Sequence, residues 1–250
     1  MTAVVVTVLV IPVMIGAYLF ESRATAATPS SGQDVPAAPS LPTGIPFREV
    51  PVEEIERQPL GTQIADAIRT DVQFLETLGY IPTPEDAMPP SDEEVARHIV
   101  PVNSILPRLT FVPTIPKPAG FQLLGALEVP TVSLPDPTDP GVMFPAERER
   151  LSTVQLVYRV RQVNASHLLI VSETSLMEEG LEEVRMPSLA VNDRIGGHRA
   201  VRRSLRGQKS GREFVEISWF DGRLLYTVSG YTNIGDVRNL AQGHAVAAIQ

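Results

Sequence analysis

The chain has 250 residues, with 21 Lys and Arg against 29 Asp and Glu, and a formal net charge of -8. That acidic balance excludes a general nucleic-acid binder, which needs a basic surface, so no nucleic-acid partner is expected. The absence of cysteine excludes disulfides, thiolate zinc sites and thiol nucleophiles.

An uncharged apolar run occupies residues 3–20, from Ala3 to Phe20. A helix of eighteen residues is about 27 Å long, close to the ~30 Å hydrocarbon core of a bilayer. The run therefore predicts a transmembrane helix and a cell-membrane location, with the polar body that follows lying outside the cytoplasm. Two alternatives stay open: a signal peptide cleaved near residues 24–26, and a late start at Met1 that omits an upstream portion.

Residues 24–59 contain seven of the 23 prolines. Up to about Pro51 this segment is also poor in large apolar side chains, so it cannot bury enough surface to fold alone. It is predicted to be an extended, Pro-rich linker that separates the membrane segment from the rest of the chain.

A short helical segment is predicted for residues 60–104. Ile64, Ile68 and Val72 recur at the spacing of an amphipathic helix over residues 61–78, and Gly79 ends it. A second, shorter helix is expected to begin at Ser91, where Glu94 completes a capping box.

Regular structure is concentrated in a predicted domain over residues 105–250. Only Pro187 occurs after residue 145, so the final hundred residues can form continuous strand ladders. Strands are predicted over 154–158 and 167–171, with weaker candidates over 189–191 and 195–201. Gly196-Gly197 is interpreted as a turn. The strongest local signal is Asp221-Gly222 between the β-rich runs 214–219 and 224–228, which is typical of a tight hairpin.

A last helix is predicted to begin at Thr232 or Asn233. Its apolar side is expected to comprise Val237, Leu240, Ala241, Ala245 and Ala248. Strands followed by one amphipathic helix indicate an α+β fold. The whole chain is therefore predicted to be an N-terminal transmembrane helix, a Pro-rich linker, and a curved antiparallel sheet packed by a C-terminal helix.

The sequence contains no pattern that predicts a catalytic, cofactor or metal site. There is no G-x-S-x-G elbow, P-loop or dinucleotide fingerprint. The four histidines are spaced too irregularly for a metal signature, and each is expected to be an ordinary surface or partly buried residue. They are His98, His167, His198 and His244. The chain is therefore not expected to be an enzyme or to need a cofactor.

Two charge clusters suggest surfaces. Residues 194–212 contain seven Lys or Arg and no acid, whereas residues 173–183 contain five acids. One interpretation is that both are solvated loops that face each other. The other makes the basic region a docking surface for an anionic partner such as lipid headgroups or an acidic protein. The candidate interaction surface comprises Arg199, Arg202, Arg203, Arg206, Lys209 and Arg212.

Four aromatic residues suggest a second kind of site. An open sheet under a helix can hold an apolar ligand between the two layers. Phe214, Trp219, Tyr226 and Tyr231 are the candidates for lining such a pocket. The alternative is that they belong to an ordinary buried core.

Residues 105–249 combine a P-x-G-[FY] motif at Pro118–Phe121, the strands predicted at 154–158 and 167–171, and the hairpin that contains Trp219 and Tyr226. With these features, the region resembles a domain of unknown function that lies outside the membrane in bacterial anti-sigma factors. A helix from Ile234 follows, as in that family. The resemblance implies a sensory or interaction module tethered to the membrane. The chain departs from the family's zinc-type members, because it lacks their His/Cys cytoplasmic domain, and no catalytic residues carry over.

The leading hypothesis is a membrane-anchored extracytoplasmic module in envelope regulation, with a protein partner in the envelope. The alternative is a periplasmic or surface carrier of an apolar ligand, with its pocket under the final helix. A protein that purifies without a ligand and binds a protein partner would favour the first hypothesis. A lipid that co-purifies with the protein would favour the second.

Overall fold

The structure is a computed structural model that describes residues 44–58, 61–127, 151–161, 167–176 and 183–248. It also describes four short strand segments, Val4–Val5, Phe20–Glu21, Pro135–Asp136 and Asp139–Met143, which pair antiparallel in two couples. The rest of the predicted transmembrane run 3–20, the linker before residue 44 and the acids 178–182 lie outside the described residues. Among the residues described, no helix is both long and apolar enough to cross a membrane.

The N-terminal part alternates short strands and helices. A strand and a short helix come first, and the long amphipathic helix follows where it was predicted, ending before Gly79 with φ 80°. The predicted capping box of Ser91 and Glu94 is also present. These elements are β1 (Phe47–Val50), α1 (Val52–Glu56), α2 (Gly61–Leu78), β2 (Ile81–Thr83), α3 (Asp92–Arg97), β3 (Ile99–Val100) and α4 (Val102–Ile105).

The C-terminal part contributes most of the strands and the last helix. The weak strand candidate over 189–191 is instead part of a short 3-10 turn, Ser188–Ala190. The candidate over 195–201 is two strands separated by the predicted Gly196-Gly197 turn, where both glycines have positive φ. The elements are β4 (Phe121–Leu127), β5 (Thr153–Val160), β6 (Leu168–Ser175), β7 (Val184–Pro187), β8 (Asp193–Ile195), β9 (His198–Gly207), β10 (Glu213–Phe220), β11 (Leu224–Gly230) and α5 (Ile234–Ala247).

Nine strands form one open, curved sheet in the order β8-β9-β10-β11-β6-β5-β4-β3, with β2 alongside β9. Its ladders are antiparallel except that β2 pairs with β9 in parallel. The prediction of a purely antiparallel sheet is therefore wrong in this detail. β8 pairs only with the first three residues of the ten-residue β9, and β2 fills the edge left free at Leu205–Gly207.

The predicted hairpin joins β10 and β11. Gly222 takes the positive φ of 101° that the tight turn requires. The Asp221 side chain accepts hydrogen bonds from the backbone N–H groups of Arg223 and Leu224, both at 2.8 Å. Asp221 thus closes the turn through its side-chain hydrogen bonds, and Gly222 adopts the positive φ that the turn needs.

The largest core lies between one face of the sheet, here called the helix face, and α5. Asn233 caps α5 by accepting a hydrogen bond from Asp236 N–H. Val237, Leu240 and Ala241 are fully buried against the sheet, whereas Ala248, expected on that side, is exposed at the helix end. Residues 105–115 pack at the same core through Ile105, Phe111 and Ile115. The α+β class and the C-terminal helix are therefore confirmed.

The opposite face of the sheet is covered by smaller clusters. Ile45, which precedes β1, and the residues Val50 of β1, Ile55 of α1 and Ile68 of α2 belong to two of them, and all four side chains are buried. Residues 44–58, the end of the predicted linker, thus form a strand and a helix that pack onto the domain and do not act as a spacer. They fold because the sheet supplies the apolar surface that the segment lacks on its own.

Candidate functional site

The predicted basic surface lies mainly on β9, and its charges are met by acids from the N-terminal segments. Arg199 donates hydrogen bonds to both carboxylate oxygens of Glu49 on β1, with Nη2–Oε2 at 2.8 Å. These hydrogen bonds hold the pKa of Glu49 below its usual value. The first of the six basic residues is therefore engaged inside the molecule.

Arg203 is 9% exposed and joins α2 to the sheet. Its Nη2 donates to Asp71 Oδ2 at 2.8 Å, and its Nη1 lies 4.0 Å from Glu216 Oε1. Burial raises the pKa of both carboxyls, while the guanidinium opposes that shift in each case. The Arg203 guanidinium thus lies between the partly buried Asp71 of α2 and the buried Glu216 of β10.

The tip of the β9–β10 hairpin is fixed in a similar way. The Glu85 carboxylate accepts the backbone N–H groups of Lys209 and Ser210 at 2.8 and 2.7 Å, and these bonds lower its pKa. The guanidinium of Arg206 lies 4.2 Å above the Tyr80 ring, and that of Arg212 lies 3.9 Å above Tyr231. Both contacts are cation–π interactions.

The basic strand therefore acts first as an internal connector. Along β9 and its hairpin, positions 199, 203 and 209–210 bind Glu49, Asp71 and Glu85, which follow one another in the sequence. Arg202, Lys209 and Arg212 are exposed residues. An anionic partner would meet a surface on which three of the six positive charges, those of Arg199, Arg203 and Arg206, are already paired with carboxylates.

The four candidate pocket aromatics lie on opposite faces of the sheet. Trp219 and Tyr226 are at most 1% exposed on the helix face, with their rings stacked at 4.9 Å. Phe214 and Tyr231 form an edge-to-face pair at 5.1 Å, in a cluster with Ile81 and Leu205. The structure therefore brings these residues together in two pairs and not as the lining of one pocket.

A row of hydroxyl groups crosses the middle of the opposite face. Ser218 and Thr227 are hydrogen-bonded at 2.9 Å, and both are at most 5% exposed. On the next two strands, the Gln155 side chain donates to Ser172 Oγ at 3.3 Å. Register places all four side chains in one line across β5, β6, β11 and β10. This row satisfies its own hydrogen bonds, as buried polar groups must.

Sequence reasoning missed a buried acid–base pair. Glu173 on β6 and His244 on α5 are both 0% exposed, and Glu173 Oε1 lies 3.4 Å from His244 Nδ1. Within the described part of the chain, neither of these two atoms has a hydrogen-bond partner of good geometry. The expectation that His244 is a surface or partly buried residue is therefore wrong, and so is that of a solvated loop for Glu173. The other three histidines are exposed or partly exposed, as expected.

Both missed residues had a signal in the sequence. His244 follows Leu240 and Ala241 at helical spacing, and Glu173 continues the alternation of Leu169 and Val171. The predicted strand ended at Val171, two residues short of the acid. Because Glu173 is charged and begins the acidic run 173–183, it was not predicted to lie on the core face of a strand.

The acid–base pair lies beneath residues 110–119, here called the strap. Thr114 N–H donates to Glu173 Oε2 at 2.8 Å, and Tyr158 OH donates to the Pro116 carbonyl at 3.4 Å. The Tyr158 ring also meets His244 edge-on at 5.5 Å. Burial and the nearby Glu173 charge raise the pKa of Tyr158, so this phenol remains a donor. Glu173 and His244 are both fully buried in this conformation, so neither is accessible to a substrate. The hydrogen bond between Thr114 and Glu173 holds the strap in place.

The described residues contain no group of three or more His, Cys, Asp or Glu that could hold a metal ion. No family model matches this chain, and neither a curated protein nor a solved structure matches it.

Proposed function

We propose that this chain is a single-pass membrane protein whose C-terminal α+β domain is an extracytoplasmic sensory or interaction module in envelope regulation. The apolar run 3–20 would anchor it, and a protein partner in the envelope would receive its output. The proposal includes no catalytic step. No family model matches, so the resemblance to the anti-sigma-factor domain is part of the proposal and not its support.

The observation that supports the proposal most is how the segment after the apolar run joins the domain. The chain comes out of the linker at residue 44, and Ile45 N–H immediately donates to the Gly222 carbonyl at the β10–β11 turn, at 2.8 Å. Glu49 then binds Arg199, and Asp71 binds Arg203. Tension that the linker transmits to residue 44 would therefore reach the sheet through these contacts.

The test is the accessibility of a C-terminal tag to protease in intact cells and in lysed membranes, with fractionation on the same gel. We expect digestion in intact cells and full-length protein in the membrane fraction. The matched variants are Leu9→Arg with Ile11→Arg, which charges the apolar run, and Ser30→Arg with Ser31→Arg in the linker. Only the first pair should release the protein from the membrane, because a charge in the hydrocarbon core costs about 2.5–3.5 kcal/mol.

Two results would contradict the proposal. Protection of the tag until lysis would place the domain in the cytoplasm. A shortened protein in the soluble fraction would indicate signal-peptide cleavage, and would favour a released carrier.

A further inference from the structure

The N-terminal strand β1 is attached to the domain by a ribbon of its own. Residues 44–50, here called the tether strand, contain β1, which pairs in parallel with β7 from Val184↔Phe47 to Pro187↔Val50. Within the described residues, neither strand pairs with the nine-stranded sheet. Removing the tether strand would therefore leave every ladder of the main sheet intact.

Charged contacts hold the tether strand to the later chain. Arg199 binds Glu49, and Arg48 Nε donates to Glu183 Oε1 at 2.9 Å. All four side chains are partly exposed, at 24–46%. Partly exposed ion pairs of this kind add little net stability, because water and salt screen them. The attachment therefore combines a specific charge pattern with buried apolar contacts of Ile45 and Val50.

The segment after the tether strand contacts Val50 and Arg48, and it also has attachments of its own. Pro51 precedes α1 with φ -59°, and α1 is bound to α2 where Arg69 Nη1 donates to Glu56 at 2.5 Å. Ile55 also packs against Ile68 in the same small cluster. If α1 stays in place and the chain turns at Pro51, residues 44–50 can leave once Val50 separates from Ile55 and Arg48 from Glu54.

We propose that the tether strand exchanges between two copies of this chain, each inserting its residues 44–50 beside β7 of the other. A second copy is the occupant because its own sequence already fits the site: Ile45 and Phe47 fill the cluster around Met186 and Phe220, and Glu49 meets Arg199. Exchange recreates the same contacts, so only the loss of freedom on association opposes it.

Two copies anchored in one membrane would reduce that cost through their high effective concentration. This point alone rests on the proposed function. The experiment below is done in solution, so its failure would leave the result of the topology assay untouched.

The test uses two complementary charge reversals in the full chain, Glu49→Arg and Arg199→Glu. Each variant alone has like charges at this contact, whether its strand is in place or exchanged with an identical copy. A mixture of the two restores both ion pairs, but only in a reciprocal heterodimer. We expect on the order of tenfold more heterodimer than either homodimer by size exclusion, because two repulsive contacts become two attractive ones.

A disulfide identifies the strand that exchanges, because the chain has no cysteine of its own. Arg48 and Arg185 are register partners on β1 and β7. Arg48→Cys is placed in the Glu49→Arg chain and Arg185→Cys in the Arg199→Glu chain. The expected result is a disulfide between the chains. As a control, the chain with both charge reversals and both cysteines should remain a monomer with an internal disulfide.

Any of three results would overturn the inference. The mixed chains could stay monomeric although circular dichroism shows both to be folded. Homodimers and heterodimers could form equally, so that charge does not select the pairing. The Glu49→Arg chain with both cysteines could form its internal disulfide as readily as the control, which would show that the strand does not open.

Discussion

The Glu173 carboxylate and the His244 imidazole lie side by side in the apolar core, where an unpaired polar group is costly. Removing His244 leaves Glu173 buried with only the Thr114 N–H of its described contacts, and removing Glu173 leaves His244 buried without its acid. Replacing both residues with Leu removes the two buried polar groups, and with them the free-energy cost of leaving one unpaired. The two residues are therefore expected to be strongly coupled, although each lies on a different element.

We predict that Glu173→Leu and His244→Leu each lower the free energy of unfolding by about 3–5 kcal/mol, while the double variant loses much less than their sum. Urea unfolding of the purified chain measures all three. His198→Leu, at a partly exposed position, is the control and should change stability little. Additive losses would show that the two side chains do not interact.

The burial of Glu216 should make the stability of the folded protein depend on pH. Burial raises its pKa in the folded protein, so the folded chain holds this proton to a higher pH than the unfolded chain does. Stability from this group is present below the ordinary value of 4.5 and is lost as the pH rises through the folded pKa. Glu216→Gln cannot lose a proton and keeps the same shape.

We therefore expect the unfolding free energy of the wild type to fall more between pH 5 and pH 8 than that of Glu216→Gln. Urea titrations at the two pH values measure the difference. Glu213→Gln, on the exposed start of the same strand, is the matched control. A parallel pH profile for wild type and Glu216→Gln would contradict the assignment.

At the scale of elements, the turn between β8 and β9 sets how closely α5 approaches the sheet. Gly196 and Gly197 both have positive φ, at 56° and 90°. A Cβ on Gly196 would lie 2.6 Å from the Ala245 Cβ of α5, whereas one on Gly197 would meet nothing within 4 Å. An alanine at position 197 would therefore strain only the backbone, whereas an alanine at position 196 would also press on α5.

We predict that Gly197→Ala costs about 1 kcal/mol for the left-handed backbone alone. Gly196→Ala should cost about 1–3 kcal/mol more, because α5 must also shift. Thermal or urea unfolding of the two variants measures the difference. Equal losses would mean that α5 does not press on this turn.

At the scale of the whole molecule, the tether strand should respond to acid before the sheet does. Hydrogen bonds from Arg199 lower the pKa of Glu49, and hydrogen bonds from Arg185 and then Arg48 lower that of Glu183. The stability that such carboxylates give is present above their ordinary value of 4.5 and is lost as the pH falls through the folded pKa.

We expect the amide protection factors of β1 to fall as the pH is lowered below 4.5, while those of β10 and β11 hold. Hydrogen exchange measured by mass spectrometry checks this, with Glu49→Gln as a variant that already lacks the ion pair. A simultaneous loss of protection in β1 and β10 would show that the strand and the sheet open as one unit.

Local patterns predicted the elements whose signals are contained within a few residues. The Asp221-Gly222 turn, the Ser91 capping box and the Asn233 cap each depend on side chains that contact backbone groups three residues away or fewer. The helix over 61–78 depends on its own periodicity. In each case the sequence neighbours are also the spatial neighbours, so the chain determines the result by itself.

Tertiary structure alone decided the partners of the charged residues. Arg199 and Glu49 are 150 residues apart, and Arg203 and Asp71 are 132 apart. Nothing local distinguishes an arginine that will face solvent from one that will hold an N-terminal segment to the sheet. The same limit made Glu173 look like part of a solvated acidic run, although it lies in the core beside His244. The sequence determined the elements and the apolar run, because those depend on short-range geometry, whereas long-range packing determined which charges became buried connectors.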